Sequence, residues 1–219
     1  MATDTRTRIL EAATRLFSSA DSRGASLRAI AREADVNSAL VHYHFGSREN
    51  LFEAAILGAL TPIQERRRSL IEGLLASCPR PEPRDLARLF VEPLVGEAGG
   101  DPSQQASRLR LLARVFSENR SWVQDLTLKH FGELMYALGD FLGTALPELP
   151  VETKYHRMQF SVEVALESLA SFEERALASP ESVEPARERV VHDLIDFLAG
   201  GLAAPVSSKR SSRPASRTT

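Results

Sequence analysis

Apolar residues along this chain recur every three or four positions and nowhere alternate over a strand-length run, so the pattern predicts helices from end to end. Ile9, Leu10, Ala13, Leu16 and Phe17 make one apolar face over 7–20. A turn over 21–25 follows, in which Gly24 is free to take a positive φ. Leu27, Ile30, Ala31 and Ala34 then share a face of a short helix, and the Ser26 hydroxyl suits its cap. Asp35, Val36 and Asn37 interrupt it. Asn37 is suited to cap a second short helix over 38–45, which Gly46 stops. Val41 and Phe45 lie i,i+4 and can pack back on Ile30 and Ala34. Ser47 caps the next helix, with Glu49 in its first turn. Leu51, Phe52, Ala55, Ile56, Leu60 and Ile63 carry that helix towards residue 76, with a bend predicted at Pro62.

Later breaks are marked by proline and glycine. They are the proline-dense stretch 78–83, the glycine-rich loop 96–102, Pro147 with Pro150, and the stretch 179–182. Between them the pattern predicts helices over 84–95, 103–118, from a Ser121 cap to about 146, 151–178, and 183 to about 199, where Gly200 and Gly201 are expected to end the last one. Phe160, Val164, Leu169 and Phe172 on one of the final two helices, with Val190, Leu194, Ile195 and Leu198 on the other, give that hairpin more apolar surface than one side needs. A homodimer through 151–199 is therefore expected. Residues 205–219 have almost no apolar content and are expected to be disordered, a basic tail.

Composition narrows the class. The chain has 219 residues and is 43% hydrophobic, enough for a sizeable core. No apolar run approaches the roughly 20 residues of a membrane span, and charges interrupt the N-terminal apolar positions. A protein that stays in the cytoplasm, with no membrane partner, is the expectation. A lone cysteine, Cys78, excludes an internal disulfide and a cysteine-cluster metal site. With a net charge of −2, nucleic acid has to be held by a local patch or not at all.

The segment 26–52 supplies a candidate for that patch. Ser38 with His42, and Ala39 with Tyr43, form two parallel rows that point away from Val41 and Phe45. Small and hydrogen-bonding side chains of this kind fit a major groove. Arg28 and Arg48 flank the rows and can meet phosphates, whereas Arg6, Arg15, Arg23 and Arg32 read as solvated surface charge. The same helix pair could equally be a hairpin of an ordinary helical core.

An alanine-rich first helix, Gly24, the capping Ser26, Ile30-Ala31, Val36, the run Val41-His42-Tyr43-His44-Phe45, and Ser47-Arg48-Glu49 with Leu51 together resemble the DNA-binding domain of tetracycline-repressor-type (TetR family) transcription regulators. The resemblance covers roughly the first quarter of the chain. It departs from the family's usual pattern at Asp35, where Gly is common, at Leu40, where Thr is common, and at His42, where Tyr or a similar residue is common.

The resemblance implies an all-α protein with a helix-turn-helix three-helix DNA-binding domain over 1–52 and a helical effector-binding and dimerisation domain over 53–204. It implies a repressor that binds a palindromic double-stranded DNA operator as a homodimer and is released by a small apolar or amphipathic effector. Ser38, Ala39, His42 and Tyr43 would read the DNA. Ser26, Arg28, His44 and Arg48 would position its backbone, His44 lying where its family counterpart approaches that backbone.

Other chemistry finds little support. His42 and His44, two apart on a helix, point in different directions and lack a third ligand, so neither a metal nor a cofactor is expected. No phosphate loop or nucleophile motif is present. Glu163 and Glu167, i,i+4, read as an exposed acidic stripe. Phe90, Leu94, Val115, Phe116, Trp122, Phe131, Met135, Tyr136 and Met158 are spread over four predicted helices. They could be packed core or the wall of a pocket, and the resemblance favours an effector pocket lined by Phe90, Leu94, Phe116, Trp122, Phe131, Met135 and Met158. The competing classes are an all-α enzyme, which would need a polar constellation among these residues, and an adaptor whose helix pair binds protein.

Overall fold

The computed structural model describes residues 4–19, 25–77, 80–95, 101–118, 120–178 and 183–206. Gly24, Cys78, the glycines of 96–100, the break at 179–182 and the tail from 207 onward lie outside the described residues. Within them the chain folds as helices only: α1 (Thr5–Ser18), α2 (Leu27–Glu33), α3 (Ser38–Phe45), α4 (Arg48–Ser77), α5 (Pro83–Val91) with a 3-10 turn over Glu92–Leu94, α6 (Pro102–Glu118), α7 (Arg120–Ala145), α8 (Val151–Ala178) and α9 (Val183–Ala203).

The short N-terminal helices end where their polar residues dictate. Ser26 accepts a hydrogen bond from Ala29 N at 3.1 Å, and Asn37 Oδ1 accepts one from Ala39 N at 2.9 Å. Gly46 closes α3 with φ of 75°, its N–H donating to His42 O at 2.8 Å, and Ser47 Oγ accepts from Asn50 N at the start of α4. Asp35, at a position where glycine is usual in the resembled family, adopts φ of 51°. Aspartate is among the few non-glycine residues that tolerate the left-handed region. The turn therefore keeps its geometry, and Arg8 of α1 reinforces it by donating to Ala34 O at 2.6 Å and Asp35 O at 2.7 Å.

Ile9, Ala12, Ala13 and Phe17 of α1, Ile30 and Ala31 of α2, and Val41 and Phe45 of α3 form a closed core against Leu51, Ala55 and Ile56 of α4. Gly58 of α4 admits α1 at close range, since a Cβ there would stand 3.1 Å from Leu10 Cδ2. Helix α4 continues unbroken past Pro62 to Ser77. Pro62 carries no N–H and so leaves the Gly58 carbonyl, four residues back, without its intrahelical donor.

The second half is a bundle in which α6 packs on α8, and α5 on α9. An Arg84–Asp196 ion pair joins α5 to α9. Between α8 and α9, the guanidinium of Arg187 donates to both carboxylate oxygens of buried Glu173, at 2.8 and 2.9 Å. That hydrogen bonding is the main reason the Arg187 pKa is raised.

Two helix ends differ from the sequence pattern. Ser121 lies inside α7, and Gly200 and Gly201 lie inside α9. The latter helix continues because Leu202 is buried and Arg157 Nη1 reaches its carbonyl at 2.6 Å, which offsets the poor helix propensity of two glycines. Leu169, Leu194, Ile195 and Leu198 are used inside the protomer, whereas Phe160 and Phe197 remain 58% and 69% exposed.

Candidate nucleic-acid interface and effector cavity

Burying Val41 and Phe45 leaves the opposite side of α3 in solvent. Ser38, Ala39, His42 and Tyr43 are all exposed, Tyr43 to 82%. His42 Nδ1 donates to the Gly46 carbonyl at 3.0 Å, which leaves its Nε2 as an acceptor in the neutral ring. The half-buried His44 sets its ring edge-on to Tyr43, centroids 5.2 Å apart. Arg28 is exposed at the start of α2. The surface is thus small at its beginning and aromatic and hydrogen-bonding at its end, a shape that can enter a groove and reach base edges.

Two of the proposed backbone contacts are also structural. The Ser26 hydroxyl is occupied as the α2 cap. Arg48 is half-buried, donates from Nε to Ala25 O at 3.0 Å and sets its guanidinium 5.3 Å from the Phe17 ring centre. Arg6 and Arg15, expected to be solvated, have partners as well. Arg6 lies over Phe45 at 5.2 Å, and Arg15 pairs with Glu33 at 3.1 Å. Arg8 carries no periodicity signal that reveals its role, because its acceptors lie 26 and 27 residues away.

A cavity of about 410 Å³ opens between α4, α5, α6, α7 and α8. Phe90, Leu94, Phe116, Met135 and Met158 line it, with Leu60, Ile63, Leu112, Leu138 and Val162. Trp122 and Phe131 do not. Trp122 instead stacks on Phe52 of α4 at 5.9 Å, with planes 23° apart, and Phe52 meets Phe17 edge-on at 5.0 Å. Phe131 sits at a break in α7, with φ of −132° and ψ of 26°, and packs on the core beside the cavity. Val115 is buried core and Tyr136 is exposed.

Polar residues absent from the sequence-based pocket complete the wall: Gln64, Arg67, Gln124, Asp125, Thr127, Tyr155, Gln159 and Glu163. Glu163, expected on an exposed stripe with Glu167, is half-buried there, while Glu167 is exposed. Gln124 Nε2 donates to the Tyr155 hydroxyl at 3.0 Å across the α7–α8 side. Arg67 had a legible signal. It falls in register with Leu60, Ile63, Ile71 and Leu74 on the buried stripe of α4. Among the described residues, no group of three or more His, Cys, Asp or Glu is arranged to hold a metal ion, and no helix is long and apolar enough to cross a membrane.

Comparison with known proteins agrees with this arrangement. Residues 9–55 match the model for bacterial regulatory proteins of the tetR family, and residues 88–201 match the tetracyclin repressor-like C-terminal domain. The HTH-type transcriptional regulator UidR of Escherichia coli (strain K12) and that of Shigella flexneri are each similar at 39% identity over 70 residues. Those matches cover 32% of this chain and 36% of the relatives, so the chain spans little more than a third of the curated proteins it matches. In fold, the chain is similar to a TetR-family transcriptional regulator from Rhodococcus sp., with a TM-score of 0.53 and 19% identity over 90% of this chain and 100% of that one. It is also similar to a tetR family transcription regulator from Shewanella sp. PV-4, with a TM-score of 0.56 and 19% identity over 91% and 98%. The C-terminal match alone takes in more than half of the chain, and with the helix-turn-helix ahead of it the protein belongs to the tetR family of bacterial regulatory proteins, a regulator and not an enzyme.

Proposed function

We propose that the protein is a cytoplasmic transcriptional repressor that binds a near-palindromic operator as a homodimer and is released from it by a small apolar or amphipathic effector. The observation that carries this is the continuity of α4. The helix begins at Arg48 beside the α3 surface and runs without interruption to the cavity wall at Leu60, Ile63, Gln64 and Arg67. One rigid element thus touches both sites, which is what coupling between them requires.

In this reading 1–52 is the reading unit, and 53–204 binds the effector and dimerises. Ser38, Ala39, His42 and Tyr43 meet base edges, while Arg28, His44 and Arg48 hold phosphates. The exposed Phe160 and Phe197 of the α8–α9 hairpin pack against the same hairpin of a second copy, and the two-fold axis so formed imposes an inverted repeat on the DNA. An effector that favours the DNA-incompetent arrangement by about 1–3 kcal/mol lowers operator affinity roughly 5- to 150-fold.

The test is selection of binding sites from random double-stranded DNA with the full chain, with sedimentation of the free protein alongside. The expected results are an inverted repeat and a dimer at micromolar concentration. Arg28→Ala should weaken binding to all sequences alike, and Ser38→Ala should shift the preferred sequence. Recovery of no enriched site, or of a site without two-fold symmetry bound by a monomer, overturns the proposal.

A further inference from the structure

Arg67 is the most deeply buried charge on the cavity wall, 7% exposed on the apolar stripe of α4. Its Nε donates to Leu89 O at 2.9 Å and its Nη1 to Gln64 Oε1 at 2.6 Å. Both acceptors are neutral. A guanidinium has five N–H donors, so three of Arg67 make no bond to a described residue. Burial lowers its pKa to about 10. The group is still charged at neutral pH. The half-buried Arg187, by contrast, has the bidentate carboxylate of Glu173. A second polar atom points to the same place: Thr127 Oγ1, also in the cavity wall, is buried and has no hydrogen-bond partner among the described residues.

From these residues we infer that the effector is a small amphipathic monocarboxylate, its anionic end paired with Arg67 and its apolar part lying along Phe90, Phe116, Met135 and Met158. The inference rests on the cavity being the effector site. A planar carboxylate accepts two parallel N–H bonds from a guanidinium and supplies the counter-charge that the protein omits. The acids on the wall, exposed Asp125 and half-buried Glu163, are less buried than Arg67 and carry the opposite sign. They disfavour a second anionic group towards the opening, which restricts the ligand to one negative end held deep inside. A volume of about 410 Å³ lies within the range of small-molecule pockets.

Two matched probe series separate the charge of the ligand from its apolar bulk. They are octanoate, 1-octanol and octylamine, and 4-phenylbutyrate with its alcohol and amine, each titrated calorimetrically into the full-length protein. Octanoate or 4-phenylbutyrate should bind at least about tenfold more tightly than its alcohol and amine, and the affinity should stay constant from pH 6 to 8.5 because neither partner titrates there. Arg67→Met bares the Leu89 carbonyl, so its folding is checked by circular dichroism, and the folded variant should bind acid and alcohol equally. Thr127→Val gives an independent check, with a smaller loss confined to the acids. An alcohol or amine that binds as tightly as its acid in the unmodified protein, or a preference for acids that survives Arg67→Met, overturns the carboxylate assignment while the effector cavity stands. Failure of all six probes to bind overturns the effector cavity, and this inference with it.

Discussion

Alanines at 12, 13, 31 and 34 let α1, α2 and α3 close tightly on Ile9, Phe17, Ile30 and Val41, and the polar side chains of that region are spent on caps, on arginine contacts to backbone, rings and Glu33, or in solvent, with the buried Thr14 hydroxyl donating to the Leu10 carbonyl. Beyond Leu60 the same chain does the opposite. Gln64, Arg67 and Glu173 are buried, and space is left between large side chains. The first region presents a fixed outer surface, whereas the second keeps an interior with unsatisfied polar groups. A DNA reader needs its helix held in one geometry, and a sensor needs an inside that a ligand can complete.

Phe17→Ala tests the contrast most severely. Loss of a fully buried ring should cost about 3–5 kcal/mol and abolish DNA binding, whereas Phe116→Ala, at an already open wall, should cost about 1 kcal/mol. Equal losses in chemical denaturation would erase the distinction between the regions. Glu173→Ala comes next, because it removes the bidentate partner of Arg187 and leaves that arginine with the exposed Glu184 alone. A loss of about 2 kcal/mol is expected, largely restored by Glu173→Leu combined with Arg187→Met.

Arg8→Ala removes both bonds to the turn between α2 and α3 and should cost about 1–2 kcal/mol, with amide exchange rising first at Ala34 to Asn37. Protection of those amides that matched the unmodified protein would show that the turn holds itself. Asp35→Gly should have the smallest effect, a gain of up to about 1 kcal/mol in thermal stability as the left-handed residue loses its Cβ. Its exposed carboxylate is 3.7 Å from Arg8, and such surface pairs contribute little.

These variants also mark what periodicity and capping rules can see. Ser26, Asn37 and Gly46 fix helix ends through bonds to residues two to four positions away, so the ends of α2 and α3 are legible almost to the residue. The aromatic cluster was legible as a group but not as a wall. Whether Trp122 faces the cavity or Phe52 depends on the rotation of α7 and its break at Phe131, which no local pattern records. The α9 end is not legible locally, because two glycines oppose a helix that the distant Arg157 holds through the Leu202 carbonyl. Arg67 stood in plain register with Leu60 and Leu74. A charge on an apolar stripe is the kind of exception that repays attention.

Helix α4 is also a lever arm. At 1.5 Å per residue, Arg67 lies about 28 Å along the axis from Arg48, so a tilt of about 5° at the cavity end would carry the far end roughly 2.5 Å sideways. In a symmetric pair the two displacements would add to about 5 Å, against a groove-to-groove repeat of about 34–36 Å. Gly58, with Leu10 pressed close above it, and Pro62, which frees the Gly58 carbonyl, fall between the two ends. The fulcrum and the slack of this lever are therefore within one turn of each other, and a stiffer helix, as in Pro62→Ala, would transmit the same tilt over a different radius.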